Sequence, residues 1–332
     1  MVPLLELRGI SKNYASHGVF RGGTDSQDVL RNVSFQINEG ESLGLIGESG
    51  CGKTTLAKIA AGLEAPTKGQ VLYSGEDIRE FDFATMQKAR KNVQIIFQNS
   101  KSIFNPYYTI GNSIKHALEN FERLTGNEIK MRVNYMLERV GLDSSFADRY
   151  PEKLSGGQRQ RANIARALIA RPKLIICDEP VASLDFSIRK KTLDMLNDMI
   201  RDMSLTCIFI SHDISTVRYS CKKVGVMYRG TLVEIFPLES GLTPRPKHPY
   251  SQMLMDSVPI LHPSQRSVRK HIKTEELNQA KRYENGCVFY SLCGSRRQIC
   301  SDVIPDLKDM GNGHYVACCS CDKTSALIAK CN

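Results

Sequence analysis

The chain has 332 residues, a formal net charge of +10 and eleven cysteines, which accommodates one large α/β domain plus an appendage. No apolar run approaches the ~18 residues a membrane span needs; the best candidate, residues 165–177, is broken by Arg166, Arg171, Pro172 and Lys173. The basic balance favours anionic surroundings, nucleic acid or a membrane's inner face, and residues 1–8 lack an export-signal layout, so the thiols are expected in a reducing compartment.

Residues 4–7 and 33–37 read as short strands separated by a Gly-rich loop around 18–25. Tyr14 stands before the most informative segment of the chain. An apolar stretch, 42–46, runs directly into Gly47-Glu48-Ser49-Gly50-Cys51-Gly52-Lys53-Thr54, a phosphate loop without mismatch, followed by Thr55. Glycines let consecutive amides wrap a polyphosphate. Lys53 can reach the β- and γ-phosphates, and the Thr54 hydroxyl can hold Mg²⁺. Residues 53–62 read as a helix whose positive end faces the same anion. The segment binds a nucleoside triphosphate.

Residues 71–73 and 93–97 read as two more strands, and Gln98 follows the second, where an amide can reach Mg²⁺ and an attacking water. Helical spacing covers 110–121 and 128–140. Leu154-Ser155-Gly156-Gly157-Gln158 opens a further helix at 157–170, a second helix start suited to an anion. The strand 174–177 ends in Asp178 and Glu179. Beside a phosphate loop, Asp178 would reach Mg²⁺ and Glu179 would polarise the attacking water. A helix at 187–203 and a strand at 207–210 come next, with His212 beyond it, and 224–228 and 231–235 form a hairpin around Arg229-Gly230. This alternation predicts a mostly parallel sheet covered on both faces, interrupted by an inserted helical stretch near 100–160. Pro237, Pro244, Pro246 and Pro249 rule out regular structure beyond Phe236, and cysteines crowd the end of the chain.

In this order the segments resemble the nucleotide-binding subunits of ATP-binding-cassette transporters over residues 4–236. The resemblance identifies Gln98 with the Q-loop glutamine, 154–158 with the signature sequence, Asp178 and Glu179 with the end of the Walker B strand, Ala182-Ser183-Leu184-Asp185 with the D-loop, and His212 with the switch histidine. Tyr14 falls where the family stacks adenine. The family's fold is an α/β phosphate-loop ATPase core with a mixed sheet, here expected over 1–98 and 160–236. An inserted α-helical subdomain is expected at 99–159 and a small cysteine-rich C-terminal extension at 237–332. The resemblance further implies Glu179 as general base, His212 as γ-phosphate sensor, and catalytic contributions from Gln98 and Lys53. It places Thr54, Gln98 and Asp178 on Mg²⁺. In the family, each ATP lies between the phosphate loop of one subunit and the signature of another. The D-loop usually reads Ser-Ala-Leu-Asp, and an acid usually stands where Asn99 follows Gln98; neither departure removes a catalytic group.

Residues 246–260 resemble the C-terminal extension of the peptide- and nickel-importing branch of that family. Cys287, Cys293, Cys300 and Cys318 follow, with five, six and seventeen residues between them. The pattern resembles the one that holds a [4Fe–4S] cluster in several dipeptide-importer ATPases, although four thiolates equally suit Zn²⁺. Cys319 and Cys321 compete with Cys318 for the last position, and His314, at the position of a family histidine, is read either as an exposed structural residue or as a ligand. The implied function is the ATPase of an oligopeptide or dipeptide importer, with a nickel importer as the alternative. A soluble cassette ATPase acting on nucleic acid or ribosomes is a third reading, disfavoured because the chain carries neither a long coiled coil nor a second cassette. The implied partners are two transmembrane permeases, a second ATPase (a related one or a second copy) and an external solute-binding protein, with no nucleic acid. The implied location is peripheral, on the cytoplasmic face of the cell membrane.

Overall fold

The computed structural model describes residues 2–15, 26–98, 103–238, 246–256 and 285–320. The loop at 18–25, Asn99, Pro244, Cys321 and Cys331 therefore lie outside the described residues. Two sheets carry the fold. The first pairs β1 (Leu5–Ala15) with β2 (Ser26–Ile37) and β4 (Lys68–Tyr73), with β5 (Glu76–Asp77) at its edge, all antiparallel. The β1 and β2 strands are longer than the short segments expected from sequence. Register shifts between Leu7 and Asn13 break the alternation that would reveal one continuous strand.

The second sheet is mixed. Its parallel centre consists of β3 (Ser42–Ile46), β6 (Val93–Ile96), β7 (Leu174–Asp178), β8 (Thr206–Ile210) and β9 (Lys223–Tyr228), in the order β9-β3-β8-β7-β6. An antiparallel strand β10 (Thr231–Pro237) turns back beside β9, as the Arg229-Gly230 hairpin predicted. The edge of β10 is covered by a small hairpin from the C-terminal region, β11 (Lys308–Asp309) and β12 (Tyr315–Val316). β7 and β8 are buried along their whole length, which explains their unbroken apolar runs.

The helices fall close to their predicted places: α1 (Lys53–Ala60), α3 (Ile110–Glu119), α4 (Gly126–Arg139), α5 (Gly156–Leu168) and α6 (Phe186–Asp202). Three short helices go beyond the expected set: α2 (Phe83–Asn92), α7 (Ile214–Ser220) and α9 (Ile299–Asp302). The tail also corrects the reading of its prolines, because α8 (Pro249–Asp256) begins at Pro249. A proline in the first turn of a helix lacks only an N–H that has no intrahelical partner there.

Two hydrophobic clusters sandwich the second sheet. One joins β3's Leu43 and Leu45 to α1 and the antiparallel sheet. The other joins α3 to α6 with Tyr228, Phe236, Tyr250 and Phe289, so the C-terminal region is part of the main core. No helix among the described residues is long and apolar enough to cross a membrane.

Candidate active site

The parallel order β3-β8-β7-β6 brings the C-terminal ends of four strands side by side, the edge at which open α/β sheets bind ligands. The loop 47–54, Gln98, Asp178, Glu179 and His212 lie at or just beyond these ends. β3 is buried up to Ile46 and gives way to the loop 47–52, whose return into α1 depends on close approach. A side chain at Gly47 would stand 2.2 Å from the Met227 carbonyl oxygen on β9. Gly52 has φ 100° and would meet Val29 and Leu30 at 2.8 Å. Gly52 caps α1 without a side-chain hydrogen bond, so no side chain of the cap residue competes for the first amides of the helix. Lys53 is buried, and its Nζ donates to the carbonyls of Gly47 (2.8 Å) and Glu48 (2.7 Å). Those bonds close the loop around an ammonium.

Gln98, Glu179 and His212 converge, although 81 and 33 residues separate the first and last from the glutamate. Gln98 Nε2 donates to Glu179 Oε2 at 2.8 Å, and His212 Nδ1 lies 3.0 Å from Glu179 Oε1. Glu179 has the left-handed value φ 48°, and its N–H donates to the Ile210 carbonyl at 2.9 Å. A non-glycine residue rarely adopts this conformation unless its surroundings hold it there. The turn aims the carboxylate away from β7 and toward the glutamine and histidine.

Asp178, one residue earlier, is buried at the end of β7. Burial, with Glu179 adding to it, holds its carboxyl above the usual carboxylate range, against the opposing Thr54 hydroxyl and Lys53 ammonium. A buried carboxylate beside a threonine hydroxyl offers hard oxygen donors of the kind a divalent cation takes, while the Gln98 amide is hydrogen-bonded to Glu179. Tyr14 is 41% exposed rather than part of the core; its hydroxyl donates to Glu64 at 2.5 Å, and the Lys12 ammonium lies 5.1 Å from the ring centre. The side chain is thus partly exposed, with a lysine ammonium over its ring.

The second helix start has its own geometry. Ser155 caps α5 in a reciprocal box: Gln158 N–H donates to Ser155 Oγ (3.3 Å) and Ser155 N–H to Gln158 Oε1 (2.9 Å). A side chain at Gly156 would meet nothing within 4 Å, so this helix end faces open space. Gly157 lies against Ile188 of α6, and Asp185 stands at the N-terminus of that helix.

In the tail, Cys287, Cys293, Cys300 and Cys318 form one neighbourhood. Burial first, then Cys300, Cys318 and Cys293, pushes the Cys287 thiol up to about 12. Burial and Cys300 push Cys319 up to about 11, the two side chains sharing a hydrogen bond. The expected ligand set is nonetheless not assembled: among the described residues no three His, Cys, Asp or Glu side chains converge tightly enough to hold a metal ion. Burial at Cys287 and Cys319 disfavours the charged thiolates that a metal takes as ligands. Nor is His314 an exposed residue or a partner of these thiols. Its Nε2 lies 2.7 Å from Oε1 of Glu234, a fully buried carboxylate on β10.

Glu234 is not among the residues that the sequence singles out. Its carboxylate also accepts from the N–H groups of Lys247 (2.6 Å) and His248 (3.2 Å), fastening the start of α8 to β10. The available signal is an acid inside the apolar run 232–236, since a buried carboxylate demands partners. A cavity of about 370 Å³ between β2, β3 and the β11–β12 hairpin is lined by Phe35, Glu41, Lys223 and Tyr315, and includes none of the residues of the loop 47–54.

Known proteins match the chain over nearly its whole length. The family model described as "ABC transporter" matches residues 30–182, and the model "Oligopeptide/dipeptide transporter, C-terminal region" matches residues 233–300. The oligopeptide transport ATP-binding protein AppF of Bacillus subtilis is 40% identical over 95% of this chain and 96% of its own length. The dipeptide transport ATP-binding protein DppF of Haemophilus influenzae is 38% identical over 95% and 96%. Among solved structures, the dimeric ATP-binding cassette MJ0796 in a post-hydrolysis state with ADP and Pi covers 71% of this chain, with 99% of its own length matched. Its TM-score is 0.63 and its identity 27%.

Proposed function

From the premise that this chain belongs to the ATP-binding-cassette transport ATPases, in the group with oligopeptide and dipeptide transport proteins, we propose that it energises a membrane importer of oligopeptides or dipeptides. The chain is an ATPase, and the observation that carries the mechanistic reading is the meeting of Gln98, Glu179 and His212 at the ends of neighbouring strands. The loop 47–54 and the start of α1 cradle the triphosphate, and Lys53 neutralises charge on its β- and γ-phosphates. Thr54, Asp178 and Gln98 would hold Mg²⁺, which supplies charge neutralisation at the phosphates. Tyr14 stacks on the adenine.

Glu179 accepts the proton of the attacking water, and Gln98 and His212 keep its carboxylate oriented while His212 senses the γ-phosphate. Positioning and electrostatics carry most of such a phosphoryl transfer. Ser155, Gly156, Gly157, Gln158 and Asp185 serve the nucleotide of a second ATPase subunit, related or identical, and two permeases and a solute-binding protein complete the importer at the cytoplasmic face of the membrane. The division into a core (1–98 and 160–236), a helical subdomain (99–159) and an extension (237–332) belongs to this reading.

The reading is tested with Glu179→Gln, which preserves the hydrogen-bonding shape without the base. ATP binding should persist while hydrolysis falls at least ~100-fold, the scale of a lost general base. Near-normal turnover removes Glu179 from its role. Cargo is a separate matter: uptake assays in cells lacking this gene, with labelled dipeptide and with nickel, choose between the two importers, and loss of nickel uptake alone overturns the peptide assignment. For the tail, the shared neighbourhood of four thiols is what supports a [4Fe–4S] or zinc site. Iron, sulfide and zinc analysis after anaerobic purification checks it, and protein free of all three rejects it.

A further inference from the structure

The phosphate loop does not hold its shape alone. Its outer wall is the turn between β9 and β10. Met227 on β9 places its carbonyl against Gly47, and the Gly230 N–H donates to the Cys51 carbonyl at 3.0 Å. On the other side of the turn, Arg31 N–H donates to the Gly230 carbonyl at 2.8 Å. Between Met227 and that turn stands Tyr228, fully buried. Its ring does not pack against the ATPase core alone: it meets Tyr250 of α8, with centroids 4.4 Å apart, and Phe289, at 5.5 Å and nearly perpendicular. Tyr250 and Phe289 also meet each other at 5.5 Å, and the His248 ring lies 6.0 Å from Phe289. The three rings thus form a closed aromatic cluster, one from the end of β9 and two from the C-terminal region.

Tyr250 comes closer still to the loop. It is fully buried, and its hydroxyl faces Glu48 without a hydrogen bond of normal geometry. The anchoring of its segment is independent of the rings, because Glu234 takes the Lys247 and His248 N–H groups and the His248 Nδ1 accepts the Tyr250 N–H at 3.1 Å. A loop of several glycines loses much backbone entropy when it closes on a ligand. Walls that hold it near its bound shape reduce that loss and raise affinity.

We propose that Tyr250 and Phe289 are positioning residues for nucleotide binding: by packing on Tyr228 they brace the β9–β10 turn against Gly47 and Cys51, so the C-terminal extension sets the affinity of the phosphate loop. The proposal goes beyond the reading of the active site and rests on one part of it, that residues 47–54 hold the triphosphate.

The test uses the full chain, a fluorescent ATP analogue with Mg²⁺, and hydrogen exchange. Tyr250→Leu and Phe289→Leu should each raise the Kd about tenfold, while Tyr250→Phe, which keeps the ring, stays within about twofold. Exchange should accelerate at residues 47–54 and remain unchanged in α4 (126–139). Unchanged affinity in the folded leucine variants overturns the proposal. So does acceleration in α4 equal to that in the loop, which is the mark of a merely destabilised fold, or a Tyr250→Phe variant as weak as Tyr250→Leu. Should the leucine variants fail to fold, Phe289→Met retains volume without a ring, and wild-type affinity in it overturns the proposal equally. Lys53→Ala is the separate control: if it binds the analogue as tightly as the wild type, the phosphate-loop reading itself fails, whatever the aromatic variants do.

Discussion

At the scale of single residues, the site depends on backbone positions that tolerate few side chains. Gly47 is the clearest, because a methyl group there would overlap the Met227 carbonyl and approach the Cys51 sulfur at 2.9 Å. Neither neighbour is a flexible chain end: one is backbone of a central strand and the other is buried. Gly47→Ala should therefore push the loop off β9, at the ~1–3 kcal/mol typical of overpacking, and weaken ATP binding about ten- to hundredfold. Gly126→Ala makes a fair control, since a side chain there meets nothing. Equal affinities in the two variants, measured by titration, would show that the loop yields without loss. These glycines are legible in the sequence because the phosphate-loop pattern is contiguous. The triad of Gln98, Glu179 and His212 is legible only as three separate strand ends; their meeting requires strands β6, β7 and β8 to be neighbours. Nothing local in the chain foretells the left-handed turn at Glu179, which is imposed by its bond to Ile210.

At the scale of elements, long periodic helices and fully buried strands can be read directly, and short or irregular ones cannot. The helices α7 and α9 have seven and four residues, too few for a periodic pattern to stand out. The start of α8 escapes a reading that treats proline as a breaker, because here proline begins a helix. That element carries a pH dependence. His248 is buried, its Nδ1 accepts a backbone N–H, and burial pushes its pKa from 6.5 down to about 4. Between those values the unfolded chain binds a proton that the folded chain refuses, so stability rises with pH across that window. The contribution is complete above the unfolded value and is lost as pH falls toward the folded one, roughly 3 kcal/mol in all. Urea unfolding at about pH 7.5 and about pH 4.5 should show a smaller acid loss in His248→Gln than in the wild type. An identical loss in both proteins would move the acid sensitivity elsewhere.

At the scale of the whole molecule, the two helix starts proposed to bind anions are unlike in their surroundings. The start of α1 is enclosed by its own chain, with β9, the β9–β10 turn and Lys53 around it. The start of α5 is capped by Ser155 and Gln158 and open beyond Gly156. An open, positively polarised helix end on a protein whose own triphosphate cradle lies elsewhere is suited to an anion presented by another subunit. The dimeric state of the cassette MJ0796 belongs to that protein, and for this chain the consequence is testable. Ser155→Arg fills the open space without touching the phosphate loop. It should leave ATP binding within about twofold while hydrolysis by the assembled importer falls at least ~100-fold, as when an aligned donor to the transferring group is lost. Ser155→Ala gives up the same cap, worth ~1 kcal/mol, without the bulk, and separates a weakened helix from a blocked interface. If arginine reduces binding and hydrolysis equally, the serine serves a nucleotide in its own chain and the shared site is excluded. Loss of hydrolysis in the arginine variant, with binding kept and the alanine variant still active, is the outcome expected when the obstructed anion comes from a second subunit.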